Sequence, residues 1–282
     1  MGAQARFPVY GQSMSVPPST PSKPIHAVLL AGSRPSGDPL ALAAGVTSKA
    51  LVPVGGQTML SRVAHVLAAH PSIASVTVFA QQGPEILAAG PDTQWLTTHT
   101  KIQFLQSGQG ISQSLLDLTA EGAVDYPLLV TTVDHVLLDH AMIDAFVAGV
   151  RSDTDVAVAM VERKVLLSRF PQSRRTWLKF RGGWWSGANL FWLGSARARG
   201  ALQLWRGVEQ DRKKGWRILS ALGPGLLLAA LLRLWSAQQV IAHAGRRLGL
   251  SAQLVPMPMA QACIDADKPD DIILIESILA GK

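Results

Sequence analysis

The sequence predicts an α/β fold, a largely parallel sheet with helices on both faces and a helical insertion. Three observations carry this. Residues 26–31 are a short, nearly continuous apolar run closed by Gly32, as expected of a strand buried on both faces. Behind it, helical and strand periodicities alternate along the chain. Residues 126–133 (YPLLVTTV) are the strongest strand candidate and end in Asp134-His135, an acid at the strand end where open α/β sheets bind ligands.

In chain order, the first strand opens into a glycine-rich loop, residues 32–48, followed by Lys49. Residues 59–69 have helical periodicity and 76–80 are apolar enough for a strand, which completes a first βαβ unit. Gly83, Pro84, Gly90 and Pro91 leave room for at most a short helix in 81–99, and 102–105 read as a third strand. It leads into QSGQGISQSLLDL, where a helix is expected to start near Ser112, a suitable N-cap. Asp139 reads as the cap of a helix over 141–150, residues 155–161 as a strand, and 177–180 with 185–193 as a hairpin about Gly182-Gly183. Helical patterns over 196–205, 218–235 and 237–248 make 194–250 the insertion. Strands are expected at 253–255 and 262–264, after which Pro269 opens a last helix whose positive N-terminus suits Asp270 and Asp271.

The glycine-rich loop is the first functional signal. Glycines after a strand let backbone N–H groups approach phosphate oxygens, because no Cβ intervenes. Gly32 to Gly37 has P-loop spacing, but Asp38 and Pro39 stand where Lys and Ser/Thr are required, and no G-x-G-x-x-G opens a helix here. What fits is LAG-x-R followed by SKAL-x-P-x-GG-x-x-ML, residues 30–60, and the close D-x-D-x-P-D-D-I, residues 265–272. Together these resemble the signature of MobA-like nucleotidyltransferases. The resemblance covers 25–161 and 263–279 well and the middle loosely, and residues 35–47 form a longer loop than members of that family commonly have.

The resemblance implies a three-layer GT-A/Rossmann-like fold with a mixed sheet. It also implies that Leu30, Ala31, Gly32, Ser33, Arg34 and an exposed Lys49 hold an NTP, with Gly108, Gly110, Ser112 and Gln113 reading the base. Asp134 and Asp267, with Asp265 as neighbour, match the carboxylates that hold Mg²⁺, a cation that prefers oxygen ligands. Arg34, Lys49 and Asp134 form the expected catalytic group. Ser186, Gly187 and Asn189 match an acceptor-contacting segment, and Lys179, Arg174, Arg175 and Arg181 offer charge for an acceptor phosphate. His135 is a weaker candidate for polarising a phosphate. One metal touching both Asp134 and Asp267 requires them to approach each other, and two such carboxylates repel.

Composition bounds the rest. With 282 residues and 48% hydrophobic content the chain can build one large domain, expected at 25–282. Residues 1–24 contain SVPPSTPSKP and no apolar leader core, and read as a disordered tail. A single cysteine, Cys263, excludes an internal disulfide and a cysteine zinc cluster, and favours the cytoplasm. The net charge of +7 arises in 151–217, which also begins the stretch 177–235 holding seven of the eight tryptophans. Such a surface suits phosphorylated substrates, or peripheral contact with an anionic membrane face through Arg206, Arg212, Lys213, Lys214 and Arg217 beside the apolar 218–235. Nucleic acid is not expected, since no binding module accompanies the charge.

The expected activity is therefore Mg²⁺-dependent transfer of an NMP from an NTP to a small phosphorylated acceptor. Two alternatives stand beside it. A GT-A glycosyltransferase would carry D-x-D where this chain has Asp134-His135-Val136, and a non-catalytic nucleotide or membrane-surface protein would lack one of the carboxylates.

Overall fold

The computed structural model describes residues 23–32, 37–108, 110–120, 124–210 and 232–281. Ser33 and Arg34 of the loop, the expected tail and the cationic and apolar residues 211–231 lie outside these. The first strand, β1 (Ile25–Leu30), is followed by a short helix α1 (Pro39–Ala43), the ribbon β2 (Pro53–Val54) and β3 (Gln57–Thr58), and helix α2 (Met59–Ala69). Next come β4 (Ile73–Ala80), α3 (Gly83–Ala88), α4 (Pro91–Gln94), β5 (Ile102–Gln106), α5 (Ile111–Leu118), β6 (Leu128–Thr132) and α6 (His140–Gly149). Strand β7 (Val156–Glu162), helix α7 (Arg163–Arg169) and the hairpin β8 (Leu178–Phe180) and β9 (Gly183–Leu193) precede α8 (Ala198–Gln210). Beyond the gap lie α9 (Ala237–Arg247), β10 (Ala252–Pro256) and α10 (Pro269–Leu279).

Eight strands form one sheet in the order β10-β7-β9-β6-β1-β4-β5, with β8 on β9. β1 pairs in parallel with β4 and β6, whereas β9 runs antiparallel between β6 and β7, so the sheet is mixed. The two-residue period of β1 explains its unbroken apolar run. Ala27 and Leu29 face a core shared with α2 and α6, while Val28 and Leu30 face one shared with α5 and α8. Helices thus cover both faces. Among the described residues, no helix is long and apolar enough to cross a membrane.

Three local expectations need correction. Residues 35–47 are not only loop, because Asp38 caps α1 by accepting the Leu40 and Ala41 N–H groups, and Pro39 takes the first turn. Helix α5 is capped at Gly110, which places Ser112 inside the first turn and not at the cap. No strand forms at 262–264. Instead Ala260–Cys263 closes a 3₁₀ turn, in which the Ala262 N–H reaches the Met259 carbonyl at 3.2 Å and the Ile264 N–H reaches Gln261 at 3.0 Å. Short side chains such as Ala260 and Ala262 give little of the side-chain packing that stabilises a strand.

One turn is sterically demanding. The Gly194 N–H donates to the Asp155 carbonyl at 2.8 Å, and a Cβ on Gly194 would lie 2.1 Å from the Thr154 carbonyl oxygen. Gly194→Ala is therefore expected to destabilise the protein by about 3 kcal/mol, the upper range for overpacking a buried contact. Urea unfolding checks this, and an unchanged midpoint would show that the backbone opens there without cost.

Candidate active site

The site assembles at the carboxyl ends of β1 and β6. The Leu30 carbonyl accepts the Val133 N–H at 3.0 Å and the Ala31 N–H donates to Phe79 at 2.8 Å, so residues 30–32 leave the sheet between its two central neighbours. Ser48 caps a 3₁₀ turn, Lys49–Leu51, by accepting the Ala50 N–H. Lys49 is not the exposed loop lysine expected, being only 9% exposed. Its Nζ donates to Asp134 Oδ2 at 2.7 Å and to Asp267 Oδ1 at 2.9 Å. The two carboxylate oxygens can be no farther apart than these two distances laid end to end. Burial alone would lower the Lys49 pKa, but the charge and hydrogen bond of Asp134, then those of Asp267, outweigh it and hold it raised.

Asp134 is fixed from three further directions. Its backbone follows β6, the Thr132 hydroxyl donates to Oδ1, and Asn189 Nδ2 reaches the same oxygen at 3.4 Å. Asn189 gets there through a bulge: the β7–β9 register shifts between Val158 and Met160, and Asn189 has φ 46°. Asparagine tolerates that left-handed conformation, and a bulge re-aims a side chain. Asp267 arrives through direct backbone contact and not by way of a neighbouring strand, since the Ala266 N–H donates to the Asp134 carbonyl at 3.0 Å.

Arg175 holds this last loop. Its guanidinium is almost buried, pairs with Asp265, and donates from Nη2 to Asp271 at 2.9 Å. Asp271 accepts the Lys268 N–H at 3.0 Å and the Asp267 N–H at 3.2 Å, closing the N-terminus of α10. Arg175 is thus committed to protein carboxylates and does not serve an acceptor phosphate as expected. No sequence spacing signals this clamp, because 90 residues separate Arg175 from Asp265.

Of the other candidates, Gly108 donates its N–H to the Ser114 hydroxyl at 2.9 Å, which folds the loop before α5 onto the helix. Glu209 was not among the residues expected here. Its carboxylate, on α8, accepts the N–H groups of Ile111 and Ser112 at 2.9 and 3.2 Å and the Ser112 hydroxyl, while Arg206 Nη1 donates to Gln113 at 2.9 Å. A Cβ on Gly110 would meet Glu209 at 2.8 Å, so glycine permits that approach. Ser186 and Gly187 lie on β9 beside Val161 and Met160. Lys179 sits over the Trp184 ring at 4.4 Å on the hairpin, with Arg163 also over that ring at 4.9 Å. His135 is buried, its Nδ1 3.3 Å from the Thr131 hydroxyl.

Two groups here titrate in opposite senses. Burial holds the His135 pKa down from 6.5 to about 4, although Asp134 pulls the other way. Burial and then the Asp267 charge push Asp265 up from 3.8 to about 6, against the pull of Arg175. Between pH 6.5 and 4 the unfolded chain takes up the histidine proton first, so acidification costs stability through His135, about 3 kcal/mol at the lower end. The folded chain takes up the Asp265 proton first, so the same acidification adds stability through Asp265. Asp265→Asn removes only the second effect and is expected to lose stability more steeply than the parent as pH falls through this window. Parallel stability curves from urea unfolding would show that Asp265 does not titrate there.

Among the described residues no group of three or more His, Cys, Asp or Glu is spaced to hold a metal ion. The pair Asp134 and Asp267 nevertheless fits a hard divalent cation. Both are carboxylate oxygen donors meeting on one positive centre, and such cations commonly use one or two protein carboxylates with substrate phosphates.

The chain is thus a mixed-sheet α/β protein in which a nearly buried lysine bridges two acids beside the end of β6. The chain belongs to the family of the MobA-like NTP transferase domain, whose model matches residues 27–226. No curated protein matches it by sequence. Among solved structures, a hypothetical transferase from Thermus thermophilus is 27% identical with a TM-score of 0.70, the match covering 89% of this chain and all of that one. A 4-diphosphocytidyl-2C-methyl-D-erythritol synthase from Anaerococcus prevotii shares the fold at 10% identity and a TM-score of 0.56, over 92% of this chain and 96% of that one. A CMP:2-keto-3-deoxy-manno-octonic acid synthetase, solved in complex with CTP, does so at 12% identity and 0.55, over 92% and 99%.

Proposed function

We propose that the protein transfers a nucleoside monophosphate from an NTP to a small phosphorylated acceptor and releases pyrophosphate. The observation that carries this reading is the junction of Lys49 with Asp134 and Asp267, a cation and two oxygen-donor acids at one point of the sheet edge. In this proposal Lys49 and Arg34 hold the triphosphate, helped by the backbone of Leu30 to Arg34. Gly108, Gly110, Ser112 and Gln113 face the base, and Asn189, Ser186, Gly187 and Lys179 face the acceptor. Asp134 and Asp267 hold Mg²⁺, which supplies positive charge at the phosphates when bound. An acceptor phosphate oxygen forms the new bond to the α-phosphorus as the bond to the β-phosphate oxygen breaks. The acceptor is already ionised, so the chain needs no general base, and its task is alignment and charge. In this proposal residues 25–282 act as one nucleotidyltransferase domain and 194–250 as its insertion, with α8 bringing Glu209 to the base loop.

Thermal-shift measurements with each of the four NTPs and Mg²⁺ test the reading. CTP comes first, because two of the structural relatives are named for cytidylyl chemistry. A rise in melting temperature with one NTP, followed by pyrophosphate release on adding phosphorylated acceptors, is expected. No shift with any NTP would overturn it.

A further inference from the structure

The oxygens that would ligate a divalent cation are already bound to a cation of the chain's own. Lys49 Nζ sits at 2.7 Å from Asp134 Oδ2 and 2.9 Å from Asp267 Oδ1. The ammonium is nearly buried, its side chain 11% exposed, with Asp134 at 17% and Asp267 at 46% on the solvent side. An ammonium and a metal ion cannot share the space between the same two oxygens, since both are positive and both need those lone pairs. From this we infer that Lys49 acts as an exchangeable internal cation. The metal takes its place between Asp134 and Asp267, and the released ammonium is taken up by the triphosphate. This rests on the proposed function and adds a coupling that the reading does not require.

The consequence is reciprocal. Either ligand alone has to break the Lys49 ion pairs without full compensation. A triphosphate that draws Lys49 away leaves two neighbouring acids facing each other, and a metal that enters leaves a nearly buried ammonium without its carboxylates. Bound together, each ligand meets the charge that the other has uncovered, so each raises the affinity for the other by the same factor. The exchange needs no domain movement. It needs rotation of one lysine side chain on a fixed 3₁₀ turn, and the glycine-rich loop that would carry the phosphates precedes that turn in the chain.

Mn²⁺ binding without nucleotide, followed by electron paramagnetic resonance, tests the exchange directly. Lys49→Met removes the competing charge and is expected to bind Mn²⁺ about tenfold tighter than the parent, the scale of one charged hydrogen bond no longer to be broken. Lys268→Met removes a charge from the same loop but not from between the two oxygens, and is expected to change the affinity less than twofold. Lys49→Gln is the second variant should Lys49→Met fold poorly, and is expected to shift the affinity in the same direction. The parent's Mn²⁺ affinity should rise on adding CTP, or whichever NTP proves to bind, by a larger factor than that of either Lys49 variant. Equal Mn²⁺ affinity in the parent and both Lys49 variants would overturn the exchange and leave the metal site standing. So would equal tightening by Lys49→Met and Lys268→Met, which would reduce the effect to general electrostatics. Absence of Mn²⁺ binding in every variant, with and without NTP, would overturn the exchange together with the metal-dependent reading beneath it.

Discussion

Asp134→Asn is expected to lower nucleotidyl transfer about a thousandfold, because on the proposed function it removes one of the two carboxylates that hold the metal, and with it several kcal/mol of charge stabilisation at the reacting phosphates. The change is nearly isosteric, so packing is not what fails. Asp134 takes hydrogen bonds from Lys49, Thr132 and Asn189. An asparagine there must turn its NH₂ toward either the ammonium or the side carrying Thr132 and Asn189. In one orientation it faces a positive charge, and in the other it opposes the Asn189 amide. A stability loss of about 2 kcal/mol follows from nearly buried Lys49 losing its more buried partner and keeping only the half-exposed Asp267. Two repelling acids, as read from sequence, would have implied the opposite sign, and the intervening lysine reverses it. Pyrophosphate release at saturating NTP and Mg²⁺ measures the first effect, and urea unfolding the second. Turnover within tenfold of the parent would remove Asp134 from the reacting centre.

Lys49→Ala is expected to act on both binding and folding. Removing the ammonium leaves the carboxylates of Asp134 and Asp267 close together without the cation between them, at a cost of about 2 kcal/mol, because Asp134 is nearly buried while Asp267 is half exposed to water. On the proposed function the triphosphate loses a contact too, and NTP affinity is expected to fall about tenfold or more. The folding loss should be recovered by millimolar Mg²⁺ or Mn²⁺, because a ligand that binds only the folded state stabilises it by mass action. Lys49→Arg is not expected to rescue, since the planar guanidinium fork does not place one charge between two oxygens as an ammonium does. Melting temperatures with and without metal check this. A variant as stable as the parent without metal would show that the two acids find other partners.

Much of this was legible from local pattern. Apolar period and strand ends placed β1, β4, β5, β6 and the β8–β9 hairpin to within a few residues, and the family resemblance drew attention to Lys49, Asp134 and Asp267, three side chains that meet in the structure. Local pattern failed where the deciding partner was remote. Ser112 has the chemistry of an N-cap, yet Glu209 supplies the acceptor, 97 residues away. Arg175 reads in the sequence as one of four cations offering charge to an acceptor phosphate, and its neighbours in sequence do not reveal that Asp265 and Asp271 face it.

The sequence by itself determined the α/β class, the buried central strand, the glycine-rich loop with its lysine and the two acids, because each is a property of periodicity or of motif spacing. Only the tertiary structure decided what those charges do to one another. It placed Lys49 between the acids instead of in solvent, brought Asp267 to β6 through the Ala266 N–H and not through a strand, and turned Asn189 onto Asp134 through a bulge. The reason is physical. Whether a charge is exposed or paired depends on which surfaces the chain buries together, and the contact of Lys49 with Asp267 joins residues 218 positions apart.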